Sequence, residues 1–156
     1  MSDNFVYISN QTSGPIEPPS LEEVAAFRGT EHVALIDDEE ALISVTGGML
    51  KYLGYQSATY LSATEFLESF TSAPTQYDIV LTDHLMPEMD GMVLIRHMRE
   101  ANASLPVVLC TGQCTPELRE QLSSLGNSGL LSKPYTLPLL GEVVRKVLDN
   151  AKANKS

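Results

Sequence analysis

Residues 77–83 read YDIVLTD, a strand-like segment with an apolar centre that ends in an aspartate. A short, nearly continuous apolar run such as residues 32–36 is typical of a strand covered on both faces of a sheet. Strand-like segments recur on both sides of residues 77–83, at residues 32–36, 55–59, 106–110 and 129–132. The pattern therefore predicts five strands.

Segments with a helical spacing of apolar residues separate these strands. Between the first two strands, apolar residues recur three and four positions apart, at Leu42, Val45, Met49 and Leu53. Comparable patterns lie at residues 62–72, 91–101, 115–125 and 136–148. Strands that alternate with helices through short connections indicate a parallel sheet covered on both faces. We predict a doubly wound α/β domain with five strands and five helices over residues 31–152.

The first thirty residues have a different composition. Ser, Asn, Thr and Pro are frequent in residues 1–19, which is typical of a flexible leader. Phe5–Ile8 could dock as a short extended piece, but its signal is weak. Ser20 and Glu23 form a capping-box pattern, and Gly29 is a helix stop, so we predict a short helix at about residues 21–28.

Composition excludes several partners. The 156 residues include 20 acids and 10 bases, so the formal net charge is −10. Nucleic acid and anionic membrane surfaces require Lys- and Arg-rich faces, and we expect neither as a direct partner. No apolar run approaches the length of a membrane span, and the N-terminus lacks the pattern of a signal peptide. We expect a cytoplasmic location.

Polar residues with chemical potential follow the predicted strands. In open α/β sheets, ligands bind beyond the carboxyl ends of the strands. Asp37, Asp38 and Asp83 would meet there and carry −3, which one divalent cation (+2) and Lys133 (+1) would neutralise. Hard oxygen ligands suit Mg²⁺. Such a site could also hold a phosphate group, with the Thr111 hydroxyl and the Lys133 ammonium as partners.

Four motifs together resemble the receiver domain of two-component response regulators. They are IDDE at residues 36–39, TDHLMPEMDG at 82–91, Thr111-Gly112 and Lys133-Pro134. The resemblance covers about residues 31–150 and implies a flavodoxin-like strand order of 2-1-3-4-5. Each motif is weak alone, but the set is specific because the motifs fall at the ends of four predicted strands.

The resemblance implies a role for each site residue. Asp83 would be the phosphoacceptor, which attacks the phosphohistidine of a histidine kinase or a phosphotransfer protein. Asp37, Asp38 and Asp83 would hold Mg²⁺, with the backbone carbonyl of Leu85 as a further ligand. A receiver promotes its own phosphorylation and has no separate substrate, so we do not expect an enzyme in the ordinary sense.

Four further features follow from the same resemblance. Thr111 would move to hydrogen-bond the phosphoryl group, and Lys133 would pair with Asp83 or its phosphate. The Lys133–Pro134 peptide bond is expected to be cis. A downstream protein would bind the face formed by the fourth and fifth predicted core helices and the fifth predicted strand.

The sequence departs from the family pattern at one position and is informative at three others. Leu130 stands where the family usually has a Phe or Tyr that rotates on phosphorylation, and Tyr135 does not obviously replace it. We therefore expect weak or altered switching. Leu85 and Gln113 occupy two positions that tune phosphoryl lifetime, and leucine cannot position water, so we expect a lifetime of minutes or longer. His84 should point to the face opposite Asp83, without a catalytic role.

Several alternatives stay open at the level of sequence. The chain could be a stand-alone receiver without an output domain or a receiver segment of a hybrid histidine kinase in a phosphorelay. A receiver that no longer accepts phosphate is disfavoured, because all the site residues are present. A Mg²⁺-dependent phosphatase with an aspartyl-phosphate is also disfavoured. Such enzymes carry the motif Asp-x-Asp within one loop, whereas Asp83 lies on a different predicted strand from Asp37 and Asp38.

Overall fold

The computed structural model describes residues 5–9 and 20–153. In this part of the chain the strands are β1 (Phe5–Ile8), β2 (His32–Ile36), β3 (Gln56–Tyr60), β4 (Ile79–Asp83), β5 (Val107–Thr111) and β6 (Ser128–Ser132). The helices are α1 (Leu21–Ala26), α2 (Glu40–Tyr52), α3 (Ala63–Ser72), α4 (Gly91–Ala101), α5 (Pro116–Leu125) and α6 (Leu137–Ala153). Among the described helices, none is both long enough and apolar enough to cross a membrane.

The sheet has one more strand than the sequence predicted. Over the described residues it contains six parallel strands in the order β1-β6-β5-β4-β2-β3, with six helices, so the prediction of five strands and five helices was wrong. The additional strand is β1, which pairs with β6 from Phe5 opposite Ser128 to Ile8 opposite Leu131. The edge of β6 offers unpaired backbone groups, and an apolar extended segment satisfies them. The other five strands lie in the order that the resemblance implied.

The sixth helix is the one predicted within the leader. Ser20 caps it, because its hydroxyl oxygen accepts a hydrogen bond from the backbone N–H of Glu23 at 3.1 Å. The helix ends at Ala26, two residues earlier than expected, and Val24 is buried in the core. The rest of the predicted leader, residues 1–4 and 10–19, lies outside the described residues.

Two apolar layers hold the helices against the sheet. One layer packs α3, α4 and α5 on one face and includes Phe66, Phe70, Ile95, Met98 and Leu122. The other packs α2 and α6 on the opposite face and includes Leu50, Leu53, Val143, Val144 and Val147. Burial of each such side chain contributes about 1.5–3 kcal/mol. Because both faces are covered, the carboxyl edge of the sheet is where polar side chains collect.

Candidate functional site

The site lies where four neighbouring strands end. Asp37 follows β2, Asp83 ends β4, Thr111 ends β5 and Lys133 follows β6. Because these strands are parallel, their carboxyl ends share one edge of the sheet. One carboxylate oxygen from each of Asp37, Asp38 and Asp83 lies within 4.8 Å of the others. The structure thus brings Asp83 of β4 together with Asp37 and Asp38, which both follow β2.

Lys133 reaches into this acidic cluster. Its Nζ donates a hydrogen bond to Oδ1 of Asp83 at 2.6 Å and lies 3.6 Å from Oδ2 of Asp37. Three carboxylates and one ammonium leave a formal charge of −3 + 1 = −2 at the site. A divalent cation would offset that charge, and carboxylate oxygens are the donors that Mg²⁺ prefers. The donor set therefore fits the metal that the resemblance implied.

Burial and mutual repulsion act on the acids. Asp37 is buried, and this burial, together with the charges of Asp83 and Asp38, raises its pKa above the ordinary value. A hydrogen bond from the Glu39 N–H at 2.9 Å partly opposes the shift. Burial alone would lower the pKa of Lys133, but its hydrogen bond to Asp83 and the two nearby carboxylates outweigh burial and raise it. Lys133 therefore stays charged and compensates the cluster.

Thr111 has a different environment from the one expected for a phosphate ligand. Its side chain is buried, and its hydroxyl oxygen accepts a hydrogen bond from the Gln113 N–H at 3.0 Å. The same oxygen lies 3.2 Å from Nδ1 of His84. Sequence reasoning missed this contact, because it considered His84 only in relation to Asp83. The register of β4 against β5 was the signal that could have revealed it.

The loop after β4 is closed by backbone contacts. The Gly91 N–H donates to the His84 carbonyl at 2.7 Å, and Asp90 caps α4 by accepting from the Val93 N–H at 2.9 Å. A Cβ atom at Gly91 would overlap the backbone oxygen of Asp83 and the Leu109 side chain. Gly91 is therefore required by the close approach of α4 to the end of β4.

The structure shows how exposed Leu85 is, but it does not test the predicted role of its carbonyl. Leu85 is 61% exposed in the loop that follows Asp83. The role of its backbone carbonyl as a metal ligand stays a prediction. The Lys133–Pro134 peptide bond is cis, as expected, and the Lys133 N–H donates to the Thr111 carbonyl at 2.8 Å.

β1 places an aromatic side chain next to Leu130. The family usually has an aromatic residue at the position of Leu130 itself. Tyr7 is the register partner of Leu130, and its ring lies 5.0 Å from the guanidinium carbon of Arg119 on α5. Tyr135 instead hydrogen-bonds through its hydroxyl to Thr46 on α2 at 2.7 Å. The sequence did not reveal the position of Tyr7, because nothing in a four-residue apolar run identifies its partner strand.

The parallel sheet and the acidic cluster at its carboxyl edge define a flavodoxin-like α/β domain with a cation-compatible site. The family model described as "Response regulator receiver domain" matches residues 33–145. The chain therefore belongs to the response regulator receiver family, and it is a receiver domain of two-component signalling. Receivers of this class work with histidine kinases or phosphotransfer proteins.

Curated relatives include receivers within longer proteins. The chain is 29% identical over 129 residues to the sensor kinase CckA of Brucella abortus, which covers 83% of the chain and 14% of the relative. It is 31% identical over 128 residues to ethylene receptor 2 of Oryza sativa subsp. japonica, over 80% of the chain and 16% of the relative. The chain thus spans 14% of the length of the first relative and 16% of the second.

Solved receiver structures share the fold. The chemotaxis protein CheY4 of Vibrio cholerae aligns with a TM-score of 0.70 at 23% identity, over 76% of this chain and 99% of that one. A response regulator receiver domain from Clostridium thermocellum aligns with a TM-score of 0.66 at 26% identity, over 80% of this chain and 96% of that one. The high coverage of both structures shows that this chain contains a whole receiver fold.

Proposed function

We propose that this receiver accepts a phosphoryl group on Asp83 in a reaction that requires Mg²⁺. The observation that carries the proposal is the 2.6 Å contact between Lys133 Nζ and Asp83 Oδ1 within a cluster of three carboxylates. This arrangement leaves one carboxylate oriented by a cation, with two further acids beside it. All four residues lie within the range that matches the receiver family.

The residues divide the work of phosphoryl transfer among them. An oxygen of Asp83 attacks the phosphorus of a phosphohistidine, the P–N bond breaks, and the imidazole of the donor leaves. Lys133 orients Asp83 and offsets negative charge on the transferred group. Asp37 and Asp38 would hold the metal with Asp83. When bound, Mg²⁺ supplies positive charge for a transition state that needs little other protein chemistry.

The donor in this proposal is a histidine kinase or a histidine phosphotransfer protein. The relatives that are sensor kinases support a place in a phosphorelay, where a receiver belongs to a hybrid kinase. A solved receiver domain from the hybrid histidine kinase CckA, 25% identical with a TM-score of 0.62, supports the same comparison. In this proposal the receiver promotes the transfer of the phosphoryl group from the donor to its own Asp83, and it turns over no separate substrate.

The output face in this proposal consists of α5, β6 and α6. Here β1 is part of that face, because it pairs with β6 and its Tyr7 ring lies beside Arg119 of α5. A downstream protein would therefore meet a surface that includes the N-terminal strand. Leu130 is fully buried, and the weak or altered switching expected from it stays a prediction.

The decisive test is phosphorylation by a small donor. The wild-type chain and Asp83→Asn are incubated with phosphoramidate and Mg²⁺, and intact mass is measured. We expect a gain of one phosphoryl group in the wild type, none in Asp83→Asn, and none in the wild type when the metal is chelated. Asp149→Asn, which changes an exposed aspartate on α6, serves as the matched control and should behave like the wild type. Absence of a mass gain in the wild type would contradict the proposal.

A further inference from the structure

His84 and Thr111 are neighbours because of the register between β4 and β5. Asp83 pairs with Cys110 across the two strands, so His84 and Thr111 are the next two residues along them. The His84 N–H donates to the Cys110 carbonyl at 3.0 Å, which continues the ladder past the end of β4. The backbone therefore places the imidazole beside the threonine hydroxyl, with Nδ1 at 3.2 Å from Oγ1.

The bonding capacity of the Thr111 hydroxyl is limited. A threonine hydroxyl has one proton to donate and two lone pairs to accept with. The Gln113 N–H uses one lone pair at 3.0 Å. If Nδ1 of His84 accepts, it takes the only proton of Thr111; if Nδ1 donates, it takes the second lone pair. In either tautomer, the imidazole holds the hydroxyl oxygen at this position.

In this position the Thr111 hydroxyl lies on the face of the sheet opposite the Asp83 side chain, where it cannot contact a group bound to Asp83. Successive side chains of a strand point to opposite faces, so Asp83 and His84 point apart. Thr111 contacts His84 and shares its face. A hydroxyl that is to donate to a phosphoryl group on Asp83 must first leave the imidazole.

We propose that His84 is a positioning residue that holds the Thr111 hydroxyl away from Asp83 in the unphosphorylated protein. It thereby sets how readily the threonine engages the phosphoryl group. This inference rests on the proposed function of Asp83. Loss of one neutral hydrogen bond shifts such an equilibrium by roughly fivefold, so removal of the imidazole nitrogen should favour the engaged threonine by about that factor.

The test compares substitutions that remove or retain a hydrogen-bonding atom at the position of Nδ1. His84→Phe keeps an aromatic ring without nitrogen, and His84→Leu lacks the nitrogen in a smaller side chain. His84→Asn retains an amide group near the position of Nδ1. His97→Phe, on the exposed side of α4, is the matched control. Each protein is titrated with beryllofluoride, a phosphoryl mimic, in the presence of Mg²⁺, and the apparent affinity is measured by NMR.

We expect His84→Phe and His84→Leu to bind beryllofluoride roughly fivefold more tightly than the wild type. His84→Asn and His97→Phe should stay within about twofold of the wild type. The Gln113 amide resonance is the second readout, because its N–H donates to Thr111. It should shift on beryllofluoride binding in the wild type and already be displaced in unbound His84→Phe.

Two results would overturn the inference while leaving the proposed function intact. In one, the wild type binds beryllofluoride and Asp83→Asn does not, but His84→Phe and His84→Leu bind as the wild type does. In the other, His84→Asn changes the affinity as much as His84→Phe, which would assign the effect to packing. Failure of the wild type itself to bind beryllofluoride would instead contradict the proposed function, and the inference would fall with it.

Discussion

Leu85 stands two residues after Asp83 and is mostly exposed. Hydrolysis of an aspartyl-phosphate needs a water molecule oriented towards phosphorus, and leucine has no polar atom that could orient it. We therefore expect the phosphoryl group to persist for minutes or longer in the isolated protein. Leu85→Asn should shorten the lifetime by roughly tenfold, because an amide can hold the attacking water. Release of inorganic phosphate from the labelled protein measures both lifetimes.

Leu61→Asn is the control for this comparison, since Leu61 is also an exposed leucine, in the connection between β3 and α3. It should leave the lifetime unchanged. Loss of the label from the wild type within seconds would contradict the expectation.

At the scale of residues, the chemistry of the site was predictable from sequence and its hydrogen bonds were not. Asp37, Asp38, Asp83 and Lys133 stand directly at the ends of apolar runs, so strand boundaries alone predict where they meet. The contact between His84 and Thr111 depends on the register of two strands, which a list of strand boundaries does not contain.

Among the elements, α4 is tied to the neighbouring loops by one side chain. Arg99 of α4 donates to backbone carbonyls in the α4–β5 connection and at the end of α5 and the connection that follows it, namely those of Leu105, Ala103, Leu125, Gly126 and Asn127. The planar guanidinium offers five donors in a fixed fork, whereas a lysine ammonium cannot reach acceptors spread over two loops. Arg99→Lys should therefore lower the free energy of unfolding by about 2–4 kcal/mol, as measured by urea denaturation.

Arg96→Lys, at an exposed position on the same helix, is the matched control for Arg99→Lys. It should change the free energy of unfolding by less than about 0.5 kcal/mol. Equal effects of the two substitutions would mean that the carbonyl contacts of Arg99 do not stabilise the fold.

The strand β1 is fixed to the domain by backbone pairing and by Tyr7. The Tyr7 ring packs against the α5 layer and lies under the Arg119 guanidinium. Tyr7→Ala removes both the apolar contact and the cation–π interaction. We therefore expect it to lower the free energy of unfolding by about 1–3 kcal/mol, as measured by urea denaturation. Tyr52→Ala, at an exposed position on α2, should change stability much less. If the two variants were equally stable, the Tyr7 side chain would not help to hold β1 on the domain.

At the scale of elements, length decided what the sequence could predict. The five strands from β2 to β6 alternate with helical segments, and this alternation indicates a parallel sheet without knowledge of any contact. β1 has only four residues, so its strand signal in the sequence is weak. The pairing of β1 with β6 depends on the open edge that β6 offers in the folded sheet. The local sequence of β1 does not indicate this partner.

Across the whole molecule, an ion-pair group fastens α6 to the segment that precedes β2. Glu31 accepts from Arg145 at 2.6 Å and from Lys152 at 3.0 Å, and Arg145 also reaches the Tyr55 hydroxyl at 3.1 Å. The hydrogen bond from Arg145, opposed in part by burial, lowers the pKa of Glu31 to about 2 from an ordinary value of 4.5. The contact joins residues more than a hundred positions apart, so it ties the end of the fold to its beginning.

The depressed pKa of Glu31 predicts how stability depends on pH. A carboxyl whose pKa is lower in the folded state stabilises the fold above its unfolded pKa, about 4.5. This contribution is lost as pH falls from about 4.5 to about 2. Glu31→Gln should be less stable than the wild type by about 1–3 kcal/mol at neutral pH, and the difference should narrow through that window.

The control for Glu31→Gln is Glu142→Gln, which breaks the exposed pair with Lys146 on α6. Such exposed pairs contribute less than about 1 kcal/mol, so stability should hardly change. A difference between Glu31→Gln and the wild type that stayed constant from pH 7 to about pH 2 would contradict the assigned pKa shift.

The fold of the whole molecule also shows which acids matter. The net charge of −10 argues against partners that require Lys- and Arg-rich faces, but it could not distinguish a site acid from a surface acid. Asp37 and Asp83 became informative through their position at strand ends, whereas Glu31 became informative only through its contact with α6. The first kind of information is local, and the second requires the tertiary structure.

Gly91 has a consequence for how this receiver tolerates variation. Any side chain there would collide with the backbone oxygen of Asp83 and displace the loop that carries the phosphoacceptor. In a library that samples every amino acid at every position, selected for signalling, Gly91 would be depleted of variants as strongly as Asp83. Such a library would therefore report Gly91 as intolerant of substitution although it has no side chain. The reason is steric, because the space beside the Asp83 backbone must stay free of a Cβ atom.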